Sequence, residues 1–313
     1  MIQHLVNGLS QGAIYAFIAL GYTMVYGIIR LINFAHGEFF MVGAFAGYFV
    51  LRDAGIERLP LPEPLPLLLA YLAALLAGGV ASAVLAVLAE RLCYRPIRKA
   101  GRIAALLTAV GLSIFLQNLA RQVPAIGATP HTWPTLRLYS QGASGPVAGE
   151  EAVISQGLGQ AIVLGLLAVS SLLVWALVAK TRTGKAMCAV SEDLPAAQLM
   201  GIDANRVITW TFFLGGLLAG VGGVTYCMTA DVHQVEPLTG FMPGLKAFVA
   251  AVLGGIGSIP GAVVGGIVLG VAETLFGAYV STRWKELLVF LVLIVVLLAK
   301  PTGLMGQARR EKV

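Results

Sequence analysis

The sequence predicts an all-α polytopic membrane protein with about eight to nine transmembrane helices, some short or discontinuous. Three observations carry this. Of the 313 residues 58% are hydrophobic and 12% charged, where soluble domains average about 25% charge. Apolar runs near the ~20 residues that cross ~30 Å of hydrocarbon recur along the chain. The basic residues behind the formal charge of +6 cluster in a few short loops beside those runs, which is the pattern that fixes topology. The expected surroundings are therefore membrane lipid and not nucleic acid, and residues 1–313 form a single transmembrane domain.

The first run, residues 8–29, has no basic residue before it and exceeds a signal peptide's apolar stretch, so it is expected to be a retained span. A polar break follows, Asn33-Phe34-Ala35-His36-Gly37-Glu38, and then a short run over 39–51. That run predicts either a short helix with His36 and Glu38 at an interface, or a discontinuous helix inside the bundle. Gly43 and Gly47 are spaced to let another helix approach closely. A mixed-charge loop with four prolines, 52–66, precedes the run 67–89. Next comes ERLCYRPIRKAGR, with four arginines and one lysine, the strongest cytoplasmic marker in the chain.

Residues 103–120 lead back out to an external loop over 122–157, rich in Pro, Gly, Ser and Thr. Residues 158–179 return to a polar island, 180–206, which falls on the arginine-rich side. The glycine-packed run 207–229 and a short acidic loop, 231–244, come next. After them are a short run, 245–259, the break Gly257-Ser258-Ile259-Pro260-Gly261, and a run over 262–280. Gly261 and Gly265 again have small-xxx-small spacing. The last run, 287–299, precedes a basic tail. Nine crossings result, with the N-terminus outside and the C-terminus cytoplasmic. The two weak spans, 39–51 and 245–259, sit one in each half of the chain. Such pairing points to a transport pathway, although glycine-rich packing alone also produces it.

The island predicts a short helix with both ends marked. Asp193 can accept from orphan amides and Pro195 suits a first turn, while Gly201 provides a φ > 0 stop. LPAAQLM spans roughly 10 Å at 1.5 Å per residue, too short to cross a bilayer. Leu194, Ala197 and Met200 are expected to face another protein. A helix lying on lipid usually carries Lys or Arg on its polar face, whereas this one has Glu192, Asp193 and Gln198.

No catalytic or metal site is expected. Cys93, Cys188 and Cys227 share no short spacing, and four histidines are scattered without partners at ligand spacing. Thr183-Gly184-Lys185-Ala186 fails as a phosphate loop, because Ala179 stands where a glycine is needed and Ala186 where a hydroxyl is needed. Glu273 is an acid inside a long apolar run, a functional candidate by default. It either serves a pathway, pairs with Lys246 or Arg283, or faces a wet cavity. Asn33, His36 and Glu38 are either a polar hinge in a pathway or caps of the helix that follows.

INFAHGEFFMVGAFAGY, SEDLPAAQLMGIDANRVI and GGIGSIPGAVVGGIVLG together resemble one family, the LivH-type permease subunits of bacterial ATP-binding-cassette importers for branched-chain amino acids. The resemblance runs from Gly8 to Gly303. It implies an importer permease fold in the bacterial inner membrane, with Glu192, Asp193, Leu194, Ala197, Met200 and Gly201 in a coupling helix that docks on a separate ATPase. It also implies two cytoplasmic ATPase subunits, which hold the ATP and Mg, so that this chain has no cofactor of its own. A second, similar permease and a periplasmic binding protein complete the set, the latter contacting 123–156 and 231–240. Urea and short-chain amide permeases share the Asn-x-Ala-His-Gly-Glu pattern, and sugar permeases share Gly-Ser-x-Pro-Gly. A stand-alone secondary carrier using Glu273 is the reading of a different class.

Overall fold

The computed structural model describes residues 2–29, 33–53, 65–98, 100–134, 150–228 and 234–306. Long apolar sequences with few breakers form helices that satisfy every backbone group internally, as hydrocarbon demands. In order these are α1 (Ile2–Ile29), α2 (His36–Asp53), α3 (Leu65–Ala89), α4 (Arg102–Gln122), α5 (Glu150–Lys180), α6 (Arg182–Glu192) and α7 (Leu194–Leu199). They are followed by α8 (Ala204–Met228), α9 (Phe241–Gly254), α10 (Ile259–Tyr279) and α11 (Lys285–Ala299). Six helical stretches among the described residues are long and apolar enough to cross a membrane. The protein is thus an all-helical polytopic membrane protein.

Several boundaries differ from the sequence expectation. The helix predicted from residue 67 begins at Leu65 and runs past Ala89, through a π-helical turn, Glu90–Tyr94, to a last turn, Arg95–Ile97. The external loop expected over 122–157 ends early, because α5 starts at Glu150. Residues 54–64 of the proline-bearing loop, 135–149 of the external loop, 229–230, 231–233 of the acidic loop, Arg30 and the basic tail from 307 lie outside the described residues. Two two-residue strands, β1 (His131–Thr132) and β2 (Gln234–Val235), pair antiparallel and so tie the loop after α4 to the loop after α8. Trp133, buried beside Tyr48, seals this end of the bundle. The other end carries the arginines.

With no hydrophobic drive between helices in lipid, close backbone approach holds the bundle together. α1 is its staff, buried from Gly8 to Val25 with few exceptions. It packs along α10, where Gly266 and Gly270 lie against Ala16 and Gly12. α3, α2 and α8 meet at a second seam of Gly43, Gly78, Gly220 and Ser82. A Cβ on Gly43 would collide with the Gly220 backbone, and one on Gly47 would lie 2.6 Å from Val224 Cγ2. Ser82 Oγ donates to the Gly216 carbonyl at 2.6 Å. Gly261 and Gly265 lie against Gly254 and Ala250 of α9. Replacing Gly43 with valine should lower the melting temperature of the detergent-solubilised protein, because overpacking costs about 1–3 kcal/mol. A wild-type melting curve would show that the seam can open without cost.

α2 and α9 share a feature that neither sequence alternative for residues 39–51 states in full. His36, the first residue of α2, packs against Gly21 of α1 and Gly215 of α8. Gly215 lies roughly 16 Å along α8 at 1.5 Å per residue, so α2 begins near mid-bundle. Its far end reaches the β-bridge, where Phe45 and Tyr48 touch His131. α9 begins at the same depth, since a Cβ on Gly37 would lie 2.5 Å from the Gly240 carbonyl oxygen. It ends at the arginine-rich end, where the amides of Leu304 and Met305 donate to the carbonyls of Leu253 and Gly254. Two helices of 18 and 14 residues therefore present their N-termini to each other inside the bundle.

Candidate functional site

The polar island folds as two helices, not one. Thr181 Oγ1 accepts from the Gly184 amide at 3.1 Å and starts α6. α6 buries Met187 and Val190 beneath α1, α5 and α8. Asp193 then caps α7, with Oδ1 accepting from the Ala196 amide at 3.0 Å. At its other end the Gly201 amide donates to Gln198 O and the Ile202 amide to Ala197 O. Gly201 has φ +82°. This is the Schellman arrangement, in which a residue without a Cβ reaches left-handed φ cheaply.

The faces of α7 correct the sequence expectation. Ala197 is 5% exposed and Leu194 packs partly against the protein's own core. Both therefore hold α7 to the bundle and do not face outward. Leu199, which sequence reasoning passed over, is 89% exposed and Met200 83%. Glu192, Asp193 and Gly201 are exposed around them. The result is a rigidly capped helix displaying two large apolar side chains to water, on a base wedged under three transmembrane helices.

Within the bundle, Asn33 Oδ1 accepts from the Ala35 amide at 3.1 Å and from Tyr94 Oη at 2.5 Å. It thus fixes the turn into α2 to the end of α3. Glu38 Oε1 accepts from Ser113 Oγ at 2.9 Å and Gln117 Nε2 at 2.7 Å, tying α2 to α4. His36 is buried against Tyr22, ring centroids 4.7 Å apart. Among the described residues neither ring nitrogen of His36, nor Oε2 of Glu38, has a hydrogen-bond partner. Unmade buried bonds cost about 1–3 kcal/mol each, so this depth holds polar capacity that packing alone does not use. The two facing helix N-termini add partial positive charge there.

Glu273 pairs with Lys246 and not with Arg283. Lys246 Nζ donates to Oε1 at 2.7 Å, Tyr15 Oη to Oε2 at 2.8 Å, and Gln11 Nε2 to Tyr15 Oη at 2.9 Å. The group lines a cavity of about 390 Å³ with Asn7 and Lys285. Glu90 is a further buried acid that sequence reasoning assigned only to the basic loop. It accepts from Arg98 at 2.7 Å and Thr209 at 2.9 Å, and Arg98 also donates to Asn205. Burial pushes the Arg98 guanidinium below its ordinary value, and the Glu90 carboxylate draws it back up. An acid at the end of an apolar run with an arginine two helical turns later was the available signal. Among the described residues no group of three or more His, Cys, Asp or Glu side chains could hold a metal ion.

Similarity to known proteins extends over nearly the whole chain. The family model described as "Branched-chain amino acid transport system / permease component" matches residues 4–297. The high-affinity branched-chain amino acid transport system permease protein LivH of Salmonella typhimurium is 41% identical, the alignment covering 100% of this chain and 97% of that protein. BraD of Pseudomonas aeruginosa, a permease protein of the same description, is 41% identical over 100% of this chain and 98% of its own. LivH of Escherichia coli strain K12 is 40% identical over 100% and 97%. No solved structure matches.

Proposed function

Because this chain belongs to the branched-chain amino acid transport permease family, we propose that it is the inner-membrane permease of an ATP-driven importer, passing branched-chain or other hydrophobic amino acids inward. It is a transport subunit and not an enzyme. The observation that carries the coupling role is α7, with Leu199 and Met200 displayed on a helix capped at both ends. Two separate ATPase subunits, which hold ATP and Mg, dock there. Their closure pushes α7 and α6, and Met187 and Val190 pass the push to the helices above. Among these, α1 and α8 supply Gly21 and Gly215, the walls around His36. The push thus arrives where α2 and α9 meet.

By the positive-inside rule we assign the arginine-rich end, with the island and the C-terminal tail, to the cytoplasm. The β-bridge end faces outward and receives the binding protein through residues 123–156 and 231–240. A second, homologous permease completes the path. Full-length similarity to LivH and BraD supports amino acids over urea or short-chain amides. The Lys246 partnership of Glu273 supports the importer over an ion-coupled carrier, because a carboxylate held by an ammonium has no free charge to cycle.

Vesicles holding the permease with its partner subunits test both points. Radiolabelled leucine should accumulate only with ATP, the binding protein and a partner ATPase, and urea should not. Preferential urea uptake would overturn the substrate. Leucine uptake by this chain alone on an ion gradient would overturn the coupling.

A further inference from the structure

A second cavity opens at the arginine-rich end, where the continuation of α3 passes the start of α8. It measures about 450 Å³ and is lined by Arg91, Arg95, Arg206, Asp203, Trp210 and Phe213, among others. Arg91, Arg95 and Arg206 are exposed. Asp203 points its carboxylate at the α8 backbone, accepting from the Arg206 amide at 3.1 Å. The neighbouring acid, Glu90, is buried and held by Arg98 and Thr209. Among the described residues no side-chain ion pair joins any of the three arginines to an acid. The cavity therefore presents three guanidiniums with two aromatic rings beside them.

The surface above it has an independent character. Leu72, Leu76, Val80, Val84, Leu88 and Leu92 are all exposed and recur every fourth residue, so each neighbours the next along a ridge that winds down α3 and its extension. This apolar ridge ends at Leu88 and Leu92, each three residues before Arg91 and Arg95 and so beside them on the helix. Trp210, half-exposed near the start of α8, lines the same cavity as the arginines, and tryptophan favours the boundary between hydrocarbon and headgroups.

We propose that this place is a binding site for one anionic glycerophospholipid, its phosphate held by Arg91, Arg95 and Arg206 and its acyl chains lying along the α3 stripe. Charge selects the headgroup, because a guanidinium fork matches phosphate oxygens bidentately. The stripe selects a lipid over a soluble phosphate. The position bears on transport, because the Arg206 side of the site leads into α8, which α6 and α7 also touch. A lipid seated there would brace α8 against the moving island.

The test uses the detergent-purified full-length permease complex, with native mass spectrometry and brominated lipids. Phosphatidylglycerol or cardiolipin should be retained through delipidation, and phosphatidylcholine should not. The triple variant R91Q/R95Q/R206Q should bind phosphatidylglycerol about a hundredfold more weakly, since removing each guanidinium should leave roughly a fifth of the affinity. R121Q, at the opposite end of the bundle, should bind as wild type. Phosphatidylglycerol brominated on its acyl chains should quench the wild-type protein more than W210F, the difference being the share of Trp210 among the four tryptophans, and this needs no arginine to be altered. Equal retention of phosphatidylcholine, wild-type binding by the triple variant, or equal quenching of wild type and W210F would each overturn the site. Equivalent binding of glycerol phosphate would replace the lipid with a soluble anion. Loss of the ATPase from the triple variant with its lipid intact would assign the arginines to the partner protein instead.

Discussion

Replacing Leu199 and Met200 together with aspartate should abolish ATP-dependent uptake while the permease still inserts, folds and melts as wild type. In the chain itself both side chains stand almost wholly in water, and surface substitutions away from packing usually change stability by no more than about 0.5 kcal/mol. Against an ATPase docked as proposed, the same positions would become buried. A buried, unpaired charge in an interface costs roughly 2–5 kcal/mol, and every 1.4 kcal/mol is about tenfold in affinity. Two carboxylates should thus weaken docking by about a hundredfold or more, and uptake should fall to about 1% of wild type. Leu194 is a poorer probe. It packs partly on the protein's own core, so an aspartate there would disturb folding as well as docking. Wild-type uptake by the double aspartate variant would remove α7 from the coupling route.

The second large effect concerns the Lys246–Glu273 pair. Changing either residue alone, Lys246→Met or Glu273→Gln, should lower thermal stability in detergent by about 3–5 kcal/mol, because the partner is left as an uncompensated buried charge. The double variant should recover most of that loss, since swapping a whole buried pair for neutral residues of similar volume is often near neutral. Tyr15 can still donate to the glutamine carbonyl in the double variant, which keeps the rest of the network satisfied. The measurement is a double-mutant cycle of melting temperatures, read beside leucine uptake. Additive losses, with no recovery in the double variant, would mean that the two charges act separately and that the ion pair is not what keeps Glu273 in the bundle.

How much of this was legible in the sequence varies with the range of the interactions involved. The caps of α7 are local. Asp193, Pro195 and Gly201 each act within four residues, and the structure forms the bonds that those residue types favour. α6 was legible in principle, because Met187 and Val190 sit three apart behind the N-cap of Thr181. Arg182, Gly184 and Lys185, ahead of Met187, hid that short apolar face. Which side of α7 faces outward was not legible, because it depends on where α6 seats the helix. Ala197 turned inward, and Leu199 became the outermost residue.

Inside the membrane, counting apolar residues undervalued α2. His36 and Glu38 ended the apolar run in the sequence, yet both are buried in the helix, Glu38 through donors on α4 that are 75 and 79 residues away. The paired weak spans were visible as two short runs. That their N-termini meet at one depth required the Gly37–Gly240 approach, which no spacing along the chain reveals. Glu90 shows the same limit. Its partners Arg98 and Thr209 lie 8 and 119 residues on, and only the nearer one could be read from the sequence.

The most direct test of the coupling surface is site-directed cross-linking in the assembled transporter. Cys93, Cys188 and Cys227 would be replaced first, and single cysteines then placed at Leu199, Met200 or Ala197. L199C and M200C should cross-link to an ATPase subunit with a short bismaleimide, and ATP should change the yield. A197C, turned into the protein, should not. Cross-linking from A197C, or none from L199C and M200C in a complex that still hydrolyses ATP and moves leucine, would contradict the account.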